Sequence, residues 1–190
     1  VLSKEAKGFK RLYLQFWPFK NVRFAVSGAA PLTLEIKERF EEKIGVKILE
    51  GYGLTETSPV VSVNTEQLQK IKSVGPAIPS VSTLVVDDEG NEVPRNCEGE
   101  LCVKGPNVFR GYFGNPQATK DAFTEDGWFK TGDIVAIDDD GFIFIKDRKK
   151  DMIVMSGWKI YPTEVEEVLI KYPEVKEIAI FSINDCHRGE

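Results

Sequence analysis

Six consecutive residues, Gly51-Tyr52-Gly53-Leu54-Thr55-Glu56, set an aromatic ring, a hydroxyl and a carboxylate among backbone positions that can bend. The two glycines let the chain turn sharply and approach a ligand closely. The Tyr52 ring offers a flat face for a base. Thr55 offers a hydroxyl, and Glu56 offers a carboxylate able to hold a magnesium ion beside phosphates. That set suits a nucleoside triphosphate and suits a purely structural turn poorly, although a Gly-aromatic-Gly turn after a strand is common. Glu56 stands where the third glycine of the dinucleotide fingerprint would be, and no Gly-Lys-Ser/Thr follows. The segment is therefore neither that fingerprint nor a Walker A loop.

Residues 46–49 are an apolar run that reads as the buried strand delivering this segment. Upstream, residues 22–26 read as a strand and Ser27-Gly28-Ala29-Ala30 as a loop. Pro31 opens a helix, where the missing N–H costs nothing. Leu32, Ile36, Phe40 and Ile44 recur every four residues and form one apolar face. Gly45 stops the helix. Strand, helix, strand with loops at the strand ends is an open α/β arrangement, and ligands sit in such crevices. Residues 1–17 read as a helix that stops at Pro18.

From Val74 the pattern changes. Residues 81–86, 99–103, 134–137 and 142–145 read as short strands, with Asp88-Glu89-Gly90-Asn91 and Asp138-Asp139-Asp140-Gly141 as turns. Ala136 breaks the aspartate alternation of a calcium loop, which favours hairpin turns. After Arg148 residues 152–155 read as a strand and Ser156-Gly157-Trp158-Lys159 as a loop. Residues 162–170 read as a helix with Val165, Val168 and Leu169 on one face, and 175–181 as a strand. The basic run Lys146-Asp147-Arg148-Lys149-Lys150 has a solvated turn as its default reading and serves as the connector. The fold class is α/β: the end of an open α/β subdomain over 1–72, a small β-barrel-like subdomain over 73–145, a hinge over 146–150, and the start of an α+β C-terminal domain over 151–190.

The chain of 190 residues is long enough for one domain or two small ones. Its 42% hydrophobic content supports a core, and its net charge of −5 argues against general nucleic-acid binding. Cys97, Cys102 and Cys186 are odd in number and fit no zinc spacing, so they read as reduced packing residues of a cytoplasmic protein. The single histidine, His187, completes no metal pattern. No apolar stretch has membrane-spanning length, and no signal peptide is visible. Val1 and Glu190 do not resemble natural termini, so a fragment is expected.

Four segments together carry a family resemblance: residues 50–56; Gly99-Glu100-Leu101 through Gly105 to Gly111-Tyr112; Thr131-Gly132-Asp133; and Asp147-Arg148 through Gly157 to Glu166. Singly they are weak; in this order and spacing they are specific. The chain resembles the second part of an enzyme of the adenylate-forming superfamily of acyl-CoA synthetases, luciferases and adenylation domains. Glu-Gly-Tyr-Gly-Leu-Thr-Glu-Thr-Ser-Pro, Val60-Val61-Ser62-Val63-Asn64 and Ser156-Gly157-Trp158-Lys159-Ile160-Tyr161-Pro162 resemble bacterial or archaeal fatty-acyl-CoA ligases. The resemblance implies two steps. A fatty acid carboxylate attacks the α-phosphorus of ATP to give acyl-AMP and pyrophosphate, and coenzyme A thiolate then displaces AMP.

The resemblance also implies roles. Tyr52 matches the ring that stacks on adenine, within a nucleotide-binding set of Ser27, Gly28, Ala29, Gly51, Tyr52, Gly53, Leu54 and Thr55. Thr55 contacts the α-phosphate, and Glu56 binds magnesium, which neutralises phosphate charge. Asp133 accepts from the ribose hydroxyls, unless it is only a turn residue before a strand. Arg148 reaches ribose and phosphates. Lys159 sits near the phosphates, and Lys150 is the hinge, unless it is a plain surface lysine. Gly157 and Trp158 line the coenzyme A tunnel, with a core aromatic as the other reading of Trp158. The family's phosphate loop would precede residue 1 and its C-terminal lysine would follow residue 190, so the chain alone is expected to be inactive. An adenylation enzyme for another carboxylic acid or a carrier protein, and a non-catalytic nucleotide-binding module, stay open. So do peripheral membrane contact and a homodimer in the parent protein.

Overall fold

The computed structural model describes residues 19–28 and 32–183. The expected helix over 1–17, Ala29, Ala30, Pro31, Cys186 and His187 lie outside the described residues. The chain divides into two compact units. Unit 1 comprises Val1–Val81, Gly105–Arg110 and Asp140–Ile143; unit 2 comprises Ser82–Lys104, Gly111–Asp139 and Phe144–Glu190.

In unit 1, β1 (Phe24–Ser27) and β2 (Lys47–Gly53) run parallel, with Ala25 opposite Ile48 and Ser27 opposite Glu50. The crossover between them is α1 (Leu34–Ile44). It begins at Thr33, whose hydroxyl accepts the Ile36 N–H at 3.4 Å, as an N-cap does. It ends at Gly45, whose φ of 79° brings its N–H onto the Glu41 carbonyl at 2.8 Å. Val46, Ile48 and Leu49 are buried. The helix's apolar face differs from expectation. Ile44 is buried, but Ile36 is 52% exposed, and Phe40 meets only the edge of Phe19 among the described aromatic pairs. Four-residue spacing makes a face; it does not supply something to cover it.

β2 runs further than its apolar run suggests. Gly51, Tyr52 and Gly53 belong to the strand, because β3 (Val60–Val63) pairs antiparallel with them. From sequence these three residues read as a loop, and no strand is expected at β3. Val60-Val61-Ser62-Val63 is β-branched enough for a strand, but it is short and directly follows Pro59.

Unit 2 is built on an open sheet of order β4-β5-β6-β7: Ser82–Val86, Glu98–Lys104, Phe129–Ile137 and Ile143–Arg148. It does not close into a barrel. Val85, Leu101, Val103, Ile134 and Val135 are buried in it. The expected turn at Asp88 forms, with the Asp87 carboxylate accepting from the Glu89 and Asn91 N–H groups and Gly90 left-handed at φ 87°. Helix α2 (Pro116–Ala122) follows Asn115, whose side chain accepts the Ala118 N–H.

Two strands of unit 2 run beyond their expected bounds. β6 takes in Thr131, Gly132 and Asp133, and β7 takes in Lys146, Asp147 and Arg148. Only Lys149 and Lys150 of the expected connector lie in a turn. The hairpin of β8 (Ile153–Met155) and β9 (Trp158–Ile160) turns at Ser156 and Gly157, which have φ of 51° and 85°. Trp158 and Lys159 are thus strand residues, not loop residues. Helix α3 (Pro162–Leu169) follows. No strand forms over 175–181, where no neighbouring strand offers ladder partners among the described residues.

Candidate functional site

Each unit carries its own cluster of the residues singled out from the sequence. In unit 1, the C-terminal ends of the parallel strands β1 and β2 lie side by side. Ser27 is paired with Glu50, and a Cβ built on Gly28 would stand 3.2 Å from the Gly51 carbonyl oxygen. The structure therefore brings Ser27, Gly28, Gly51 and Tyr52 together. Behind them Lys37 donates to Glu50 at 2.8 Å, with both side chains 13% exposed. The Glu50 carbonyl accepts the Asn64 N–H at 2.8 Å. Both partners of Glu50 lie well away from it in the chain, where spacing gives no signal.

After Gly53 the chain makes a single 3-10 turn over Thr55–Thr57. Gly53 is there for space: a Cβ would fall 1.7 Å from the Pro59 carbonyl oxygen. Thr55 is exposed and Glu56 half-buried. The residue that closes the turn is Thr57, which is fully buried. Its hydroxyl accepts the Leu54 N–H at 2.9 Å and lies 3.0 and 2.8 Å from the Leu54 and Pro59 carbonyls. Asn107 grips the same turn from the segment Gly105–Arg110, donating to the Thr57 and Val60 carbonyls at 2.9 and 2.8 Å. The Phe109 N–H donates to the Glu56 carbonyl at 2.7 Å. The grip of Asn107 and Phe109 on the turn joins positions about fifty residues apart, which sequence spacing does not signal; the Thr57 contacts are local, with Leu54 and Pro59.

In unit 2, Asp133 is 5% exposed and pairs with Arg148, whose Nε lies 3.1 Å from its Oδ1. Thr131 sets the approach: its hydroxyl donates to the Leu101 carbonyl at 2.8 Å and accepts the Asp133 N–H at 3.2 Å. Lys149 donates to Glu100 at 3.0 Å and lies 3.2 Å from Asp88, which also pairs with Lys159 at 3.1 Å. Burial pulls the Lys149 ammonium down, but Glu100 and Asp88 outweigh it and hold it above the ordinary lysine value. The Lys159 and Lys149 ammonium groups lower Asp88. Lys150 is exposed.

The β8–β9 hairpin and α3 are tied to the sheet by polar contacts. The Tyr161 hydroxyl donates to Glu98 at 2.9 Å, and burial with that carboxylate pushes the phenol up. Lys146 bridges Glu98 and Glu164 at 3.1 and 3.0 Å. Asp147 accepts the Thr163 N–H in the first turn of α3 at 3.0 Å. Trp158 is 75% exposed and is not a core aromatic of this chain. Cys97 is exposed and so is not a packing residue, whereas Cys102 is buried and its thiol is pushed up to about 11, chiefly by burial.

No group of three or more His, Cys, Asp and Glu able to hold a metal ion exists among the described residues. Glu56 is the acid of its segment, and a lone carboxylate fits an ion such as magnesium that takes its other ligands from phosphates and water. No helix among the described residues is long and apolar enough to cross a membrane.

The chain is similar to the long-chain-fatty-acid–CoA ligase of Escherichia coli O6:H1, with 43% identity over 173 residues, covering 90% of this chain and 31% of the relative. It is 41% identical to the enzyme of the same name from Bacillus subtilis over 179 residues, covering 93% and 32%. Among solved structures it is similar to ATP-bound MatB from Rhodopseudomonas palustris, with a TM-score of 0.82 and 39% identity over 88% of this chain and 33% of that one. It also matches o-succinylbenzoate coenzyme A synthetase of Bacillus subtilis, in a structure with ATP and a magnesium ion, at a TM-score of 0.77 and 31% identity, covering 90% and 37%. The chain thus spans about a third of the length of the curated relatives it matches. Residues 3–113 match the family described as AMP-binding enzyme, and the chain belongs to that family.

Proposed function

We propose that the chain is part of an ATP-dependent acid–thiol ligase, an AMP-forming acyl-CoA ligase that activates a fatty acid as acyl-AMP and transfers it to coenzyme A. The observation that carries this reading is the similarity to long-chain-fatty-acid–CoA ligases over 173 residues, 90% of the chain. It therefore includes residues of both units. The Tyr52 ring, at the end of β2 beside Gly28 and Ser27, stacks on adenine. Thr55 donates to the α-phosphate. Glu56 would hold magnesium, which when bound neutralises charge on the phosphates. Asp133 accepts the ribose hydroxyls, and the half-exposed Arg148 guanidinium reaches ribose and phosphate. Lys159 lies near the phosphates, and Gly157 and Trp158 line the path of the coenzyme A thiol; the exposure of Trp158 supports a role at a surface that meets a ligand.

In this reading residues 1–72, 73–145 and 151–190 are parts of three subdomains. Lys150 is the hinge that lets the last reorient between the two half-reactions. In this reading the enzyme is cytoplasmic. Support for a different carboxylic acid comes from the likeness to o-succinylbenzoate coenzyme A synthetase, at a TM-score of 0.80 and 34% identity. The test uses the complete protein that carries this chain. Pyrophosphate release with ATP and a fatty acid, followed by thioester formation with coenzyme A, is expected. Release with o-succinylbenzoate in place of a fatty acid would favour the second reading, and no release with either would sink both. Lys150→Pro should keep one half-reaction and slow the other strongly; wild-type rates for both would remove the hinge.

A further inference from the structure

We propose that Glu100 is a positioning residue for the ribose: together with Lys149 it holds the kinked backbone at Gly132 and so sets the Asp133 carboxylate and its Arg148 partner. This rests on the reading of Asp133 as the ribose-binding carboxylate. The register of β5 against β6 slips at this point. Glu100 faces Ile134 and Cys102 faces Lys130, so Thr131, Gly132 and Asp133 lie opposite Leu101 alone. Such a bulge re-aims side chains and removes ladder partners from the backbone. Gly132 is left-handed at φ 73°, with open space where a Cβ would stand, so the conformation and not crowding calls for glycine.

A kink of this kind persists only where its surroundings hold it. Here side chains and a turn replace the missing ladder. The Gly132 N–H donates to Glu100 Oε1 at 3.2 Å, and the Gly132 carbonyl accepts the Lys149 N–H at 2.8 Å. The Lys149 ammonium donates to Glu100 Oε2 at 3.0 Å and closes the ring. Glu100 is 9% exposed, so its carboxylate has little water to fall back on. Lys149 directly follows Arg148 in the chain. One carboxylate thereby fixes both the residue before Asp133 and the residue after Arg148.

The test uses the complete protein and measures pyrophosphate release against ATP and against 2′-deoxy-ATP. Asp133→Ala should abolish the preference for ATP. Glu100→Ala should raise KM for ATP by about tenfold and lower the preference by a similar factor, as expected for losing a bond to a charged group. Its kcat at saturating ATP should change far less. Glu100→Gln keeps an acceptor for Gly132 and should fall between. A wild-type preference in Glu100→Ala, with the preference lost in Asp133→Ala, would overturn the proposal and leave the ribose reading intact. A wild-type preference in Asp133→Ala would overturn the ribose reading itself. If Glu100→Ala does not fold, Lys149→Met decides: a reduced preference supports the clamp, and an unchanged one overturns it.

Discussion

The two units hold their chemistry-bearing residues by different means. In unit 1 the turn after β2 is fixed by neutral contacts: a glycine with no room for a Cβ, the buried Thr57 hydroxyl and the Asn107 amide. In unit 2 the corresponding residues are fixed by charge: Asp133 with Arg148, Glu100 with Lys149, Asp88 with Lys149 and Lys159, and Lys146 with Glu98 and Glu164. Neutral, buried contacts are insensitive to salt and pH and intolerant of added volume. Of these, Asp133 and Glu100 are buried, while the pairs of Asp88, Lys159, Glu98 and Glu164 are half-exposed; such pairs are weaker individually, are screened by salt, and exchange partners at little cost. The turn after β2 is therefore built for a fixed shape, and the exposed ion pairs of unit 2 for a shape that responds to conditions.

Substitutions at four positions test that contrast. Gly53→Ala should have the largest effect, costing about 3 kcal/mol or more, because the new methyl would collide with backbone rather than with a side chain able to move. Denaturant unfolding reads it, and a loss below about 1 kcal/mol would break the contrast on the unit 1 side. Tyr52→Ala should weaken ATP binding by about 1–3 kcal/mol, and Tyr52→Phe only mildly. Calorimetry at low and high salt should give the same loss for the alanine variant; equal affinity for variant and wild type would remove the stacking role. Tyr161→Phe removes a buried hydroxyl from Glu98 and should cost about 1 kcal/mol, since Lys146 still holds that carboxylate.

Asp88→Asn should have the smallest effect, about 0.2–1 kcal/mol, and it should shrink with added salt. Its pH dependence follows from the lowered carboxyl. The contribution is full above the ordinary value of 3.8 and is lost as pH falls through the lower folded value. Wild type and variant should therefore converge in acid. Lys149, held above its ordinary 10.5, contributes below that pH and loses the contribution as pH rises through its higher folded value. An Asp88→Asn difference that persists at pH 2 or in molar salt would count against charge as the fastening of unit 2.

The parts legible in the sequence were those with local causes. The helix stop at Gly45, the Asp88 turn and most strands follow from neighbours within a few residues. Two of the misplacements arose where a more distant partner decides, whereas the one at Trp158 and Lys159 is a local hairpin with Val154 and Met155. Gly51-Tyr52-Gly53 looks like a loop until β3 pairs with it. Thr131-Gly132-Asp133 looks like a turn until β5 lies alongside. Asp133, Arg148 and Glu56 have roles implied by resemblance to a family, whereas Asn107 and Glu100 act through contacts about thirty to fifty residues away, which no spacing reveals. Cys97 and Trp158 show the converse limit: an apolar residue type does not say whether anything covers it.

The segment from Lys146 to Lys149 is a four-letter word in which every letter has a different reader: Glu98 and Glu164, the start of α3, Asp133, and Glu100 with Asp88. Replacing one letter leaves the other three in place. Deleting or inserting a single codon shifts them all. In a library of variants this stretch should therefore accept many exchanges of one residue for another yet reject frame-preserving changes of length, although none of its side chains is deeply buried.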